Sequence, residues 1–279
     1  MTALKIAAPA LPRLLAPEVL VARLQDDNLR IVDLSQQRVY DEAHVPGAVH
    51  LDCKRTLAGT QPAPGALPPE DVLSELLSSL GIGPDTHVVA CDDEGGGWAG
   101  RFLWLLAMVG HTKWSYLDGG IHAWMAAKLP IEQRRNTPAR STFVARVTGA
   151  AAVDKEYIRT HIHAPGFAIW DARSRDEFDG VRALAARGGH IPGAVNLDWV
   201  DCMDRTRHMR LKDLAQLRAT LANIGITADK NIVTHCQTHH RSGLSWLVGT
   251  LLDFPNIRAY AGSWSEWGND PTLPVETTP

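Results

Sequence analysis

The sequence predicts an α/β protein built from two tandem copies of one domain, each a mostly parallel sheet flanked by helices. Short β-branched runs alternate with amphipathic helical segments along the chain. Turn residues also recur at a fixed distance, since Gly81 and Asp85 return as Gly225 and Asp229, both displaced by 144 positions. A repeat of this length indicates duplicated domains, and 279 residues are enough for two of ordinary size.

Each copy contains the same series of predicted elements. A strand is followed by a His-x-Pro-Gly-Ala turn, a helix that a glycine ends, an apolar strand, and a strand that turns into a Trp-bearing helix. These occupy residues 31–33, 44–48, 69–80, 88–90 and 116–124 in the first copy, and residues 169–171, 190–194, 211–224, 232–234 and 260–267 in the second. The second copy has eight extra residues before its His-x-Pro-Gly-Ala turn, which predicts a surface loop near 181–189.

The boundary between the copies is a polar segment that contains Pro138. Segments of this composition are typical of linkers between domains. We therefore expect a first domain at residues 1–130, a linker at 131–142 and a second domain at 143–279.

Composition excludes several classes of function. A net charge of −3 argues against nucleic-acid binding, because a phosphate backbone requires a basic surface. The four cysteines form no CxxC pair, which is typical of a reducing compartment and predicts a cytoplasmic protein. Residues 1–17 are apolar but interrupted by Pro9, Pro12 and Arg13, so they predict neither a signal peptide nor a membrane span.

One stretch carries the residues of a reactive site. The run at 232–234 leads to Cys236, four residues follow, and Arg241 precedes an apolar run that predicts a buried helix. This order places the thiol at the carboxyl end of a strand, where sites form in parallel sheets. Inward-pointing loop amides and the positive end of the helix favour the thiolate, which is the reactive form of cysteine. Arg241 would close the loop with a cationic fork suited to an anion.

The equivalent position in the first copy holds no thiol. Asp92 lies 144 positions before Cys236, and acidic residues and glycines replace the thiol loop there. Cys91 falls one position early, so its side chain is expected on the opposite side of the strand end. Acidic side chains would repel an anionic substrate, and we predict that the first domain is structural and catalytically inactive.

The chain resembles the two-domain rhodaneses, which are thiosulfate sulfurtransferases, over nearly its whole length. The resemblance rests on the paired His-x-Pro-Gly-Ala turns, on Asp-Ala-Arg at 171–173, on Gly-Ser-Trp-Ser-Glu-Trp at 262–267 and on a cysteine only in the second loop. The loop Cys-Gln-Thr-His-His-Arg is similar to a variant of some bacterial tandem rhodaneses. It departs from the Cys-Arg-Lys-Gly type of thiosulfate enzymes and from the Cys-Gly-Ser-Gly type of mercaptopyruvate enzymes. Glu177 also departs from the pattern, because some relatives carry an arginine there.

The resemblance implies two-step covalent catalysis without a cofactor or metal. The Cys236 thiolate would attack the outer sulfur of thiosulfate, sulfite would leave, and the persulfide would pass its sulfur to cyanide or a thiol. The two loop histidines would add positive charge when protonated. Substrate and persulfide would be bound by the loop residues Gln237, Thr238, His239, His240 and Arg241.

Other conspicuous residues have structural explanations beside functional ones. Arg173 has no counterpart in the first copy, where Ser35 takes its place, and is therefore a possible helper of the cysteine. Arg241 could instead form a salt bridge at the start of its helix, and the two loop histidines could simply be exposed to solvent. His44 and His190 precede turns in both copies, so we expect them, like Asp33 and Asp171, to belong to the scaffold.

Four other functions compete with this prediction. A cysteine phosphatase needs five residues between cysteine and arginine, and this loop has four. A mercaptopyruvate sulfurtransferase uses a mostly uncharged loop, whereas this one carries an arginine and two histidines. A persulfide carrier would use the same cysteine to deliver sulfur to a protein partner. A zinc or copper site is conceivable from the ligand types of His235, Cys236, His239 and His240, but adjacent residues of a tight loop rarely converge on one ion.

Overall fold

A computed structural model describes residues 10–278 of the chain. The first domain contains the strands β1 (Leu14–Leu15), β2 (Leu29–Asp33), β3 (Val49–His50), β4 (His87–Cys91) and β5 (Trp114–Leu117). Its helices are α1 (Pro17–Leu20), α2 (Gln37–Glu42), α3 (Glu70–Ser79), α4 (Gly97–Met108) and α5 (Gly120–Ala126). The first nine residues of the amino-terminal segment, for which the sequence predicts neither a signal peptide nor a span, lie outside this description.

The second domain repeats this plan and adds one hairpin. Its strands are β6 (Ala152–Val153), β7 (Phe167–Asp171), β8 (Ala194–Asn196), β9 (Met203–Asp204), β10 (Arg210–Leu211), β11 (Asn231–His235) and β12 (Ile257–Tyr260). Its helices are α6 (Lys155–His161), α7 (Arg175–Phe178), α8 (Leu214–Asn223), α9 (Arg241–Leu251) and α10 (Ser263–Trp267).

The two sheets have the same topology. The strand orders are β1-β5-β4-β2-β3 and β6-β12-β11-β7-β8, and all of these pairings are parallel. Asp33 pairs with Cys91 in the first sheet, and Asp171 pairs with His235 in the second. The residues that follow, Asp92 and Cys236, therefore leave equivalent strand ends. The prediction of two α/β domains with parallel sheets flanked by helices is confirmed.

A close crossing of helices α4 and α9 joins the domains. A Cβ atom on Gly100 would lie 2.5 Å from the carbonyl oxygen of Gly243, and a Cβ atom on Gly243 would lie 2.5 Å from the amide nitrogen of Arg101. Two glycines thus allow the backbones to touch. The buried apolar cluster beneath them is continuous across the domains and includes Trp104 and Trp246. Each domain buries a second, smaller cluster on the other face of its sheet.

The segment between the domains lies along the first one. Ser141 and Phe143 hydrogen-bond to residue 78 of helix α3, and Thr148 donates its amide to the carbonyl oxygen of Met108. Residues 143–148, which the sequence analysis assigned to the second domain, therefore pack on the first. Regular structure of the second domain begins at Ala152.

The predicted helix at 211–224 begins later than expected. Leu211 pairs with Met203 in the β9–β10 hairpin, and its amide donates to the Asp118 carboxylate of the first domain at 2.8 Å. Helix α8 instead begins after Asp213, whose carboxylate accepts the amides of two following residues. A tertiary contact and a cap together move the start of the helix.

The histidines of the two turns have scaffold contacts. His44 stacks on Tyr40 at 3.8 Å, and its Nδ1 lies 2.6 Å from the Tyr40 carbonyl oxygen. His190 stacks on Phe178 at 3.7 Å in the same manner. Both are buried, which agrees with a structural role. Within residues 10–278, none of the helices is long and apolar enough to cross a membrane.

Candidate active site

Cys236 lies directly after strand β11, in the loop that leads into helix α9. Its carbonyl oxygen accepts the amide of Trp264 at 2.9 Å, and its own amide donates to the hydroxyl of Ser263 at 3.4 Å. Its side chain is fully buried. The strand end and the Gly-Ser-Trp segment thus fix the cysteine backbone from two sides.

The pKa of the Cys236 thiol is lowered from its ordinary value. Burial on its own would raise this pKa, but the Arg241 guanidinium, hydrogen bonds from the side chain and backbone of Ser242, and the nearby His240 outweigh it. The positive end of helix α9 acts in the same direction. The sulfur at this position is therefore suited to nucleophilic attack.

Ser242 is a site residue that the sequence analysis missed. Its hydroxyl donates to the Cys236 sulfur at 3.5 Å, and His239 Nδ1 lies 2.8 Å from the same hydroxyl oxygen. A serine hydroxyl has one hydrogen to donate, so His239 must donate its Nδ1 hydrogen to Ser242. The result is a chain of hydrogen bonds that ends on the sulfur.

His239 does not supply positive charge to the site. The residue is fully buried, its ring meets Trp104 edge-on at 4.3 Å, and burial holds its pKa well below the ordinary value, with Arg101 acting in the same direction. Both the expected positive charge and the alternative of solvent exposure are wrong for this histidine. The buried Arg101 guanidinium also donates to the His239 carbonyl oxygen at 3.3 Å.

Arg241 is engaged by a carboxylate. Its Nη1 donates to Glu177 Oε2 at 2.6 Å and its Nη2 to Glu177 Oε1 at 2.8 Å. Burial opposes both charges, yet the pairing lowers the pKa of Glu177 and raises that of Arg241. Both terminal nitrogens of the guanidinium thus donate to one carboxylate. The alternative of a salt bridge is therefore observed, with Glu177 as the partner, and binding of an anionic substrate by Arg241 stays a prediction.

His240 lies between the two domains. Its ring stacks on Trp98 of helix α4 at 4.1 Å and lies 5.6 Å from Trp199. Its Nε2 forms a short hydrogen bond to the carboxylate of Glu94 in the first domain. The loop of the second domain is therefore completed by residues of the first.

The remaining loop residues face structural neighbours. Gln237 donates its side-chain amide to the carbonyl oxygen of Leu184 at 3.0 Å, which ties the catalytic loop to the inserted segment 181–189. The backbone carbonyl of Thr238 lies against Gly65 of the first domain, where a Cβ atom would come within 2.2 Å of it. The inserted segment is exposed at Val181, as predicted for a surface loop.

Arg173 is buried in a structural ion pair. Its Nη2 donates to Asp171 Oδ2 at 2.6 Å and to the carbonyl oxygen of Gly189 at 2.8 Å. Its guanidinium also lies over the Trp264 ring at 4.4 Å. These contacts hold the guanidinium in the scaffold beneath the inserted segment, and a helper role at the cysteine stays a prediction.

In the first domain a carboxylate occupies the equivalent loop. Asp92 Oδ1 accepts the amides of Glu94, Gly95 and Gly96 at 3.2, 3.1 and 2.8 Å, and Oδ2 accepts the amide of Ala99 at 3.0 Å. Burial, and then the charge of Glu94, raise the pKa of Asp92 to about 6. The backbone amides of this loop therefore donate to the carboxylate of the protein's own Asp92.

The other cysteines lack the character of nucleophiles. Burial raises the pKa of Cys53 to about 11, that of Cys202 to about 12 and that of Cys91 well above its ordinary value. Cys91 packs in the smaller apolar cluster of its domain, with its sulfur 3.8 Å from the Val32 carbonyl oxygen. Among residues 10–278, no group of three or more histidine, cysteine or carboxylate side chains is arranged to hold a metal ion.

Comparison with known proteins agrees with the fold. The family model for the rhodanese-like domain matches residues 16–127 and 154–270. The chain therefore belongs to the rhodanese-like family and contains two such domains.

The most similar relatives include a thiosulfate sulfurtransferase of Azotobacter vinelandii, which is 46% identical over 96% of this chain and 98% of that protein. A thiosulfate sulfurtransferase of Pseudomonas aeruginosa is 44% identical over 95% of this chain and 97% of that protein. The crystal structure of a 3-mercaptopyruvate sulfotransferase of Escherichia coli superposes with a TM-score of 0.80 at 28% identity, over 90% of this chain and 98% of that one.

Several site residues could not be found from the repeat alone. Glu94, Trp98 and Arg101 lie in the copy without the nucleophile, where the sequence offers no sign of their contacts across the interface. Ser242 directly follows the predicted loop, and its place at the start of a helix beside the thiol was an available signal.

Proposed function

We propose that the protein is a thiosulfate sulfurtransferase that carries a sulfur atom as a persulfide on Cys236. The observation that supports this proposal is the position of Cys236 at the start of the loop between β11 and α9, where Ser242 and Arg241 lower the pKa of its thiol. The pKa values of the other three thiols, which lie elsewhere in the chain, are all raised. The full-length similarity to two proteins named thiosulfate sulfurtransferase supports thiosulfate as the donor.

The proposed reaction has two steps, formation of the Cys236 persulfide and transfer of its outer sulfur. The Cys236 thiolate attacks the outer sulfur of thiosulfate, a bond forms between the two sulfurs, and sulfite leaves with the electron pair of the broken S–S bond. Cyanide or a thiol then attacks the outer sulfur of the persulfide, and Cys236 leaves as a thiolate. Ser242 stabilises that thiolate by hydrogen bonding, and Arg241 stabilises it by charge.

The first domain is a structural partner in this proposal. Its Asp92 occupies the loop that holds the nucleophile in the second domain. The protein works where thiols stay reduced, as in the cytoplasm, because its four cysteines are free and one of them must remain so.

The charge of the loop favours thiosulfate less than the sequence suggested. Glu177 offsets the charge of Arg241, and a singly charged donor such as 3-mercaptopyruvate loses less by this than a dianion. This ion pair keeps 3-mercaptopyruvate as the second candidate donor. Transfer to a protein thiol would use the same persulfide.

Intact mass spectrometry tests the proposed function. Thiosulfate should add one sulfur, about 32 mass units, cyanide should remove it, and Cys236→Ala should prevent the gain because no other thiol is activated. Cys91→Ala is the matched control and should load normally. A gain with 3-mercaptopyruvate but not with thiosulfate would replace the donor, and loading that survives Cys236→Ala would refute the site.

A further inference from the structure

The imidazole of His240 is fixed from both domains. Trp98 stacks on one side at 4.1 Å with 22° between the ring planes, and Trp199 lies at 5.6 Å with 55° between the planes. The third contact is a hydrogen bond that His240 Nε2 donates to the Glu94 carboxylate. Two aromatic rings and one carboxylate leave this side chain little freedom to rotate.

Glu94 is itself held in place. The oxygen that faces His240, Oε1, also accepts the backbone amide of Trp98 at 3.1 Å, at the start of helix α4. The carboxylate is therefore anchored to the same helix that supplies the stacked ring. Carboxylate and ring approach His240 as one rigid unit of the first domain.

This arrangement sets the tautomer of His240. An ionised carboxylate can only accept hydrogen bonds, so the neutral imidazole must carry its hydrogen on Nε2. The lone pair then lies on Nδ1. A histidine oriented by a carboxylate in this way is the usual arrangement for a general base.

The charged and titratable groups around His240 are few. Cys236, His239 and Arg241 belong to its own loop, and Glu94 faces it from the first domain. Arg101 acts on the neighbouring His239, which is neutral. Arg241 is paired with Glu177. Glu94 is therefore the one of these groups whose side chain hydrogen-bonds to the His240 ring.

We propose that Glu94 is a positioning residue that holds His240 as the general base for the thiol acceptor. This inference rests on the proposed function and concerns its second step. The acceptor thiol gives its proton to His240 Nδ1 while its sulfur attacks the outer sulfur of the Cys236 persulfide. The new S–S bond forms as the old one breaks, and Cys236 leaves as a thiolate with the electron pair. The proton on His240 then passes to solvent.

Single-turnover discharge tests this role. The protein is loaded with thiosulfate, freed of excess donor, and mixed at neutral pH with an alkyl thiol that is largely protonated or an aryl thiol that is already ionised. Glu94→Gln should slow discharge to the alkyl thiol about tenfold, because a well-placed general base contributes at least that much. Discharge to the aryl thiol and loading by thiosulfate should stay unchanged, since neither needs a proton removed.

His240→Gln should slow discharge to the alkyl thiol more than Glu94→Gln does. It should slow loading and discharge to the aryl thiol by a smaller factor, because His240 also helps to lower the pKa of Cys236. Asp93→Asn is the matched control, because it removes a carboxylate one position away whose Oδ1 contacts the Gln36 amide. Equal slowing with both acceptors would show that Glu94 is merely structural, and normal discharge to the alkyl thiol would overturn its role. A parent protein that takes up no sulfur from thiosulfate would overturn the proposed function and this inference together.

Discussion

Arg241 shows how one carboxylate changes the character of a site. Residue type and spacing indicated a cation suited to an anionic substrate, and the structure shows that both terminal nitrogens of the guanidinium donate to Glu177. Ser174 in turn donates its hydroxyl to Glu177 at 3.0 Å, as part of a capping box at the start of helix α7. The electrostatic effect of Arg241 on the Cys236 thiol therefore depends on its ion pair with Glu177, and Glu177 also caps helix α7.

Replacing Glu177 should expose the charge of Arg241. In Glu177→Gln, the amide keeps the shape of the carboxylate but no longer offsets the guanidinium, so the pKa of Cys236 should fall further. Alkylation of Cys236 by iodoacetamide should then reach half its maximal rate at a lower pH, and the KM for thiosulfate should fall. Mass spectrometry of the alkylated protein measures the first effect.

A neighbouring carboxylate provides the control for that change. Asp176→Asn removes the same charge from the same helix at an exposed position. It should leave the pH profile of alkylation in place. An unchanged or higher midpoint in Glu177→Gln would mean that Arg241 does not control the thiol.

Some residues of the site can be predicted from the sequence and others cannot. Cys236 and its loop follow from the order of strand, cysteine, arginine and helix, which is local information. The partners of that loop, among them Glu94 and Arg101, lie more than 130 positions away and belong to a copy that has lost the nucleophile. Their roles depend on how the domains pack, which no local pattern encodes.

At the scale of elements, the crossing of α4 and α9 depends on two small residues. Gly100→Ala and Gly243→Ala should each destabilise the protein by about 1–3 kcal/mol, because each added methyl group would overlap backbone atoms of the other domain. Chemical denaturation measures the change. Each substitution should also reduce sulfur loading, since α9 begins at the end of the catalytic loop.

Gly83→Ala separates crowding from the general effect of replacing a glycine. A Cβ atom there would have only the Thr86 hydroxyl near it, at 3.7 Å, so the free energy of unfolding should change by less than about 0.5 kcal/mol. Comparable losses at residues 83 and 100 would argue against a special role for the crossing.

The elements differ in how well the sequence predicts them. Strands β4 and β11 were found because an apolar run after a repeated turn is a strong local signal. Strands β1 and β6 are two residues long and exist only because they pair with the edges of β5 and β12. The start of helix α8 was misplaced for a similar reason, since a hydrogen bond to Asp118 in the other domain keeps Leu211 in a hairpin.

At the scale of the molecule, the two domains should unfold as one. Their largest buried apolar cluster is shared, and the β9–β10 hairpin reaches across to Asp118 and, through Arg210, to Glu18. Separating the domains would expose that cluster to water, which is strongly unfavourable. Calorimetry should therefore show a single transition whose calorimetric and van't Hoff enthalpies agree. Two resolved transitions would contradict this prediction.

Because Asp92 fills the loop of the first domain, the two domains differ in what happens to their loops during catalysis. In the proposed cycle, the loop of the second domain holds a thiolate and a longer persulfide in turn, whereas the loop of the first domain always surrounds the Asp92 side chain. The contents of the first-domain loop thus stay constant, while those of the second-domain loop change. The first domain can therefore serve as a permanent wall of the neighbouring site, which Glu94 and Trp98 form against His240.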